Sequence, residues 1–120
     1  MISCENNDIN KNTVIPIGTY KGQFVRSSPY SKYSPSNVTL TFTADRFSGE
    51  SDRINYPAIC NGTYKIVGQE IEFTNDCAWT AEFDWSYILS GEFQLKSDSI
   101  QLEMTKYSNG QTDYYKLVLQ

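Results

Sequence analysis

The sequence predicts an all-β chain: eight antiparallel strands in an up-and-down meander that closes into a barrel. Three observations predict it. Apolar and polar residues alternate in short runs separated by Gly, Pro, Asn, Asp and Ser, as strands with one buried face require, while long stripes of 3.6-residue period are absent. Aromatic residues make up 14% of the chain, with Thr and Ser frequent beside them, a composition that suits a pleated, half-buried surface. Finally, separate turn signals each set apolar residues opposite apolar residues, and such agreement between turn chemistry and side-chain pattern supports the register.

The first strand covers about residues 17–26, with Tyr20, Gly22 and Phe24 on one face. The following SSPYSKYSPS, residues 27–36, holds Pro29 and Pro35 and reads as a loop. A second strand over residues 37–43 directs Val38, Leu40 and Phe42 inward, and with Ala44-Asp45 as the turn Phe42 faces Phe47, which opens a third strand reaching about Ser51. Residues 52–59 are irregular.

The next hairpin lies between two cysteines, in CNGTYKIVGQEIEFTNDC. Gly68 supplies the positive φ that a type II′ turn needs at its first central position. With Gly68-Gln69 as the turn, Ile66 faces Ile71, Tyr64 faces Phe73, Gly62 faces Asn75 and Cys60 faces Cys77. Thr63, Lys65, Glu70, Glu72 and Thr74 take the other face, so one side is apolar and the other wet. In this register the cysteines fall on a non-hydrogen-bonded pair, where side chains approach most closely, and a cross-strand Cys60–Cys77 disulfide is expected. The other reading of the same residues is two buried thiols. A zinc site is disfavoured because the chain has no His and two thiolates do not complete a tetrahedral shell.

Beyond Cys77, CAWTAEFDW reads as a loop or a short helical turn. Alternation resumes with Tyr87, Leu89, Gly91, Phe93 and Leu95 on one face. A turn at Ser97-Asp98 pairs Leu95 with Ile100 and Phe93 with Leu102. Asn109-Gly110 is the strongest hairpin signal, and it pairs Met104 with Tyr115, Leu102 with Leu117 and Ile100 with Leu119.

At 120 residues the chain is long enough for one domain with a modest core. The net charge of −4 and the lack of a basic stripe with interleaved aromatics argue against nucleic acid. No run of about 18 apolar residues is present to span a membrane as a helix. Without His, Ser-His-Asp and Cys-His chemistry are excluded. Carboxylate pairs such as Glu82/Asp84 and Glu50/Asp52 remain, but acidic residues are usually solvated, and the expectation is a protein that is not an enzyme and carries no cofactor or metal. The segment around 109–113 does not match a calcium-binding EF-hand loop.

The N-terminal Ser3-Cys4, followed by the polar run ENNDINKNT, resembles the end of a bacterial lipoprotein signal, in which a small residue precedes the cysteine that is lipidated after cleavage. That resemblance implies acylation of Cys4, a chain that starts inside the signal, a flexible tether over residues 1–16 and a barrel domain over 17–120. It places the domain in the bacterial envelope as an outer-membrane lipoprotein, periplasmic or surface-exposed, where a disulfide persists. The alternative is a polar tail with an incidental thiol.

Gly18-Thr19-Tyr20, Gly62-Thr63-Tyr64 and Gly91-Glu92-Phe93 form a repeated Gly-x-aromatic pattern on the eight-strand meander. In this the chain resembles the small lipocalin-like domains of bacterial envelope lipoproteins. The resemblance implies a barrel that takes a small apolar or amphipathic ligand at its mouth. Tyr20, Tyr64, Phe93 and Tyr115 point inward, and Tyr30 and Tyr33 are candidates for a lid. Gly22, Gly49, Gly62 and Gly91 also fall on inward positions; they mark either bends where strands coil around barrel corners or space left for a ligand. In WTAEFDW, residues 79–85, Trp79, Glu82, Asp84 and Trp85 suit a sugar-stacking or protein-docking surface. Since large aromatics serve packing first, a plug that buries the tryptophans at one barrel end is expected ahead of a docking surface. The alternative function is an interaction or structural module of the envelope with a filled interior and a protein partner.

Overall fold

The computed structural model describes residues 13–120 apart from Tyr30 and Asn109, so Tyr30 as a lid residue and Cys4 as a lipidation site lie outside the described residues. Among the described residues the strands are β1 (Gly18–Ser28), β2 (Ser31–Lys32), β3 (Ser36–Phe42), β4 (Arg46–Ser51), β5 (Cys60–Val67), β6 (Glu70–Asn75), β7 (Gly91–Asp98), β8 (Gln101–Ser108) and β9 (Gln111–Leu119), with a 3-10 turn at Trp85–Tyr87. Eight of them form the expected antiparallel meander in the order β1-β3-β4-β5-β6-β7-β8-β9. β9 pairs back on β1 from Tyr20↔Leu119 to Ser27↔Thr112. Closure removes the edges that an open meander would expose. The short β2 folds back on the end of β1, Ser27 facing Lys32.

Three of the expected registers are present: Phe42↔Phe47, Tyr64↔Phe73 with Ile66↔Ile71, and Met104↔Tyr115 with Leu102↔Leu117. Gly68 has φ +62°, as the β5–β6 turn demands. The β7–β8 register differs. Leu95 faces Met104 and Asp98 faces Gln101, so Ser99-Ile100 is the turn rather than Ser97-Asp98. The two alignments differ by an even number of residues, which leaves every side chain on its expected face. The apolar pattern therefore cannot distinguish them, and the visible consequence is that Ile100 sits exposed on the turn.

Tyr87 also departs from expectation. It belongs to the 3-10 turn, and β7 begins only at Gly91. Leu89 is fully buried without being in a strand; its N–H donates to the Ala58 carbonyl and the Ala58 N–H to that of Tyr87, so two irregular segments pair with each other beside the barrel.

The interior is a chain of aromatic rings. Tyr20 meets Phe42 at 5.7 Å, Phe42 meets Tyr64 at 4.9 Å and Phe73 at 6.3 Å, and Phe73 meets Phe47 at 5.1 Å and Phe93 at 5.7 Å. Phe93 continues to Tyr115 at 5.8 Å, and Tyr115 to Phe24 at 4.8 Å. Most contacts are edge-to-face, the arrangement that ring quadrupoles favour. Leu40, Ile71, Leu102, Met104 and Leu117, all fully buried, fill between the rings. Of the two readings of the inward glycines, the surroundings of Gly22, Gly49 and Gly62 fit the bends, whereas the atom nearest a Cβ on Gly91 is Lys106 Nζ at 3.0 Å. A Cβ on Gly22 would stand 1.9 Å from the Lys116 carbonyl oxygen, and one on Gly62 1.9 Å from that of Thr74. These are places where neighbouring backbone fills the space a side chain would take.

Chain entry is packed as well. The Thr13 N–H donates to the Gly68 carbonyl, Ile15 is buried in the core, and the Tyr20 hydroxyl donates to the Pro16 carbonyl at 2.7 Å. Residues 13–17 thus lie across the end of the barrel where β1 starts. The meander gives this end the β3–β4, β5–β6 and β7–β8 turns, while the opposite end holds the loops 29–35, 52–59 and 76–90 and the β8–β9 turn.

Candidate functional site

The loop end is organised by a residue that the sequence reading passed over. Arg26, 2% exposed, is directed inward on β1 two positions beyond Phe24. Its Nε donates to Asp113 Oδ1 at 2.6 Å and its Nη2 to Asp113 Oδ2 at 2.8 Å, a bidentate pair across the β1–β9 closure, where Arg26 faces Asp113 directly. Its remaining donors reach Ser86 Oγ at 2.9 Å and the Ser86 carbonyl at 3.1 Å, and its guanidinium lies 3.9 Å above the Tyr87 ring. Burial alone would lower the Arg26 pKa; the Asp113 hydrogen bond and charge outweigh it and hold the pKa above its usual value. A signal was present: Arg26 shares the parity of Tyr20 and Phe24, and Asp113 that of Tyr115 and Leu117, so closing the barrel sets them opposite.

From Arg26 the order passes outward into the 76–90 loop. Asp84 caps the 3-10 turn, its Oδ1 accepting from the Ser86 N–H at 2.9 Å. The hydrogen bonds from Ser86 and the nearby Arg26 charge hold its carboxyl below the usual range. The Trp85 indole N–H donates to the Thr80 carbonyl at 2.6 Å, pinning the loop across its own base, and Trp79 packs edge-on to Phe83 at 5.8 Å.

The other end of this loop is fixed by Asn75 and the disulfide. Cys60 and Cys77 are joined, with Cα atoms 6.4 Å apart, but they are not a ladder pair as expected. The β5–β6 ladder stops at Gly62↔Asn75, because the Asn75 side chain turns the chain out of the sheet. Its amide donates to the Ile59 carbonyl at 2.6 Å and the Leu89 carbonyl at 3.3 Å, while its oxygen accepts from the Cys77 N–H at 3.1 Å and the Trp79 indole at 3.2 Å. Removing the disulfide with paired Cys60→Ala and Cys77→Ala changes is expected to cost about 3 kcal/mol, since a loop of this length loses that much closure entropy; chemical denaturation with and without the substitutions measures it.

Between the disulfide and the capped turn runs an open groove of about 610 Å³, lined by Asn75, Cys77, Trp79, Trp85, Ile88 and Ser90 among others. Trp79 is half-buried, whereas Trp85 is 55% exposed. The plug that was expected to bury both tryptophans is therefore not what this segment forms. Arg26 already occupies that end with Tyr56 and Tyr87, whose rings meet at 4.8 Å, and the indoles are left on the outside. Glu82 is exposed beside them.

The candidate ligand residues do not form one site. Tyr20 and Tyr64 lie toward the chain-entry end, with the Tyr64 hydroxyl donating to the Thr43 carbonyl at 2.6 Å. Phe93 and Tyr115 are core residues, 3% and 1% exposed. Tyr33 is half-buried near the loop end, close enough for its phenol to raise the pKa of Tyr56 and Tyr87, whose main perturbation is burial. Of the acidic pairs, Glu50 is exposed, while the Asp52 carboxylate accepts from the Asn37 backbone and side chain at 2.9 Å each.

Burial, with Asp113 adding to it, pushes the Tyr115 phenol well above its usual pKa. A phenol whose folded pKa is raised stabilises the fold fully below the unfolded value of about 10 and progressively less as pH rises from there toward the folded pKa. An alkaline titration is accordingly expected to show early tyrosinate absorbance from exposed phenols and a late, cooperative step coincident with loss of near-ultraviolet dichroism.

No family model, no curated protein and no solved structure matches the chain.

Proposed function

We propose that this chain is a non-enzymatic interaction module of the bacterial cell envelope, held to a membrane through a lipid on Cys4, which docks another envelope protein through the Trp79–Trp85 loop. The observation that carries the reading is Trp85. It is a large aromatic left 55% exposed on a loop whose anchors, Asn75, Thr80, Ser86 and Arg26, all lie within the chain. A surface already fixed in this way loses little entropy when a partner arrives, and exposed tryptophans beside a groove are the usual centres of binding energy. The disulfide favours an oxidising compartment. The likeness to lipocalin-like envelope domains is supported only by the closed meander.

A photo-crosslinking amino acid at position 85, introduced in the native host, is expected to give a discrete adduct that the same probe at Lys96 does not. Purified partner is then expected to bind Trp85→Ala about 30-fold more weakly, the loss typical of one hot-spot aromatic. Crosslinking equal at both positions overturns the reading, and so does binding unchanged by the substitution.

A second reading, a small amphipathic ligand at the mouth beneath the Tyr33 loop, is favoured by two buried hydroxyl oxygens, Ser36 Oγ and Tyr56 Oη, that have no hydrogen-bond partner among the described residues. Ser36 faces Phe24 on β1, and Tyr56 packs on Phe24 at 5.4 Å, so both lie at that end of the barrel. Buried polar groups left unpaired are unusual and attract water or a ligand group. Native mass spectrometry of protein purified from its source is expected to show a bound molecule under this reading, and bare protein removes it.

A further inference from the structure

The seven large apolar side chains that are prominently exposed among the described residues are not scattered. Val14, Ile17, Val67 and Ile100, at 82%, 62%, 63% and 53% exposure, belong to the chain-entry end, while Ile54, Trp85 and Tyr107 belong to the loop end. The first four are all aliphatic. Two stand on the residues leading into β1, one at the β5–β6 turn and one at the β7–β8 turn, so the end of the barrel carries separate apolar tips around its rim. A shallow depression of about 530 Å³ lies among Val14, Ile15, Ile17, Ala44, Tyr64 and Ile66. Each hairpin is already satisfied within the barrel, so nothing in the strand pairing requires these tips to be apolar.

We propose that this rim is a lipid-facing surface: the barrel stands on a bilayer with Val14, Ile17, Val67 and Ile100 dipped into the interface, and the Trp85 loop pointing away from it. The inference rests on the proposed lipid anchor at Cys4. The chain leading from Cys4 enters the fold at Thr13, whose N–H is held by the Gly68 carbonyl in this same face. The eight residues between them make nine steps, at most about 32 Å when extended, so an anchor at Cys4 keeps this end near the membrane. Separate aliphatic tips suit a deformable interface better than a second copy of the chain, since a stable protein interface needs a continuous complementary patch of roughly 800 Å² per partner. Charge does not drive the contact. The exposed Arg46 and Lys65 are already paired, with Asp76 at 3.0 Å and Glu72 at 3.3 Å, so apolar insertion into a neutral lipid surface is the favoured chemistry rather than attraction to anionic headgroups.

The test uses the full chain, in which Cys60 and Cys77 are joined and Cys4 is the remaining thiol. Cys4 is coupled to a maleimide-headgroup lipid in phosphatidylcholine vesicles, and hydrogen exchange is compared with protein blocked by a small maleimide in solution. Amides around Val67 and Ile100 are expected to exchange about threefold or more slower on vesicles, because the covered turns open less often. A V67S/I100S double variant, changed only at exposed positions, is expected to lose that slowing while keeping the solution exchange pattern of the core. Equal rates on vesicles and in solution overturn the proposal. So does slowing confined to the Trp85 loop, or slowing that appears without vesicles as protein concentration rises, which would mark self-association. Because the coupling chemistry supplies the attachment, a negative result strikes the orientation alone; an unacylated Cys4 in the native host strikes the anchor alone.

Discussion

Arg26→Met is expected to lower the unfolding free energy by about 3–5 kcal/mol, because it leaves the Asp113 carboxylate buried without its cation. Asp113 is 5% exposed and Arg26 2%, so water cannot replace the lost partner without opening the seam between β1 and β9. The same substitution frees Ser86, and with it the capped turn behind Trp85. The double variant Arg26→Met/Asp113→Leu is expected to recover much of the loss, since apolar replacements of similar volume remove the desolvation penalty of both charges together. Urea denaturation of the wild type, both single variants and the double closes the cycle. Single variants that cost less than about 1 kcal/mol would show the pair to be hydrated in solution.

Phe73→Ala is expected to cost about 3–5 kcal/mol through loss of transfer energy and the cavity left behind. Phe73 is 2% exposed and its ring is the junction of the aromatic chain, touching Phe42, Phe47 and Phe93. Glycine-bent strands run close against one another here, at Gly62 above all, so the walls have little room to collapse. A further outcome follows from the filling of the interior: the variant, but not the wild type, should be stabilised by saturating benzene, since dry apolar cavities of this kind take such molecules. Thermal melts with and without benzene measure both. Equal stabilisation of the two proteins would mean that the native barrel already has apolar space.

The barrel was legible because a strand periodicity of two reports the face of each residue directly, and turns such as Gly68-Gln69 and Ala44-Asp45 fix how faces meet. Where that signal is blind, the reading failed for the same physical reason. An even slip conserves faces, so the pattern accepted Ser97-Asp98 as readily as Ser99-Ile100. Tyr87 and Leu89 continue the alternation of β7, yet they lie outside the sheet, because burial in an irregular segment leaves the same trace as burial in a strand. At the candidate site Trp79, Glu82, Asp84 and Trp85 were legible as an aromatic, acidic cluster, but whether it faced in or out depended on what else occupied the barrel end. That occupant was Arg26, a charged residue at an inward position, and its partner lies 87 residues away; pattern reading treats such a residue as solvated because it usually is. Asn75 was equally silent, since a peg that ends a ladder is defined by its partners, here the Ile59 and Leu89 carbonyls and the N–H groups of Cys77 and Trp79.

Pairing of the first stave with the last also dictates timing. While the chain is being made, Arg26 emerges early, and Asp113, its bidentate partner, becomes available only with the final strand. Most of the sheet can assemble hairpin by hairpin, but the last seam requires a long-range encounter, the kind of step that slows folding. Commitment to the native state therefore coincides with the docking of β9 against β1, whatever the earlier hairpins have already formed.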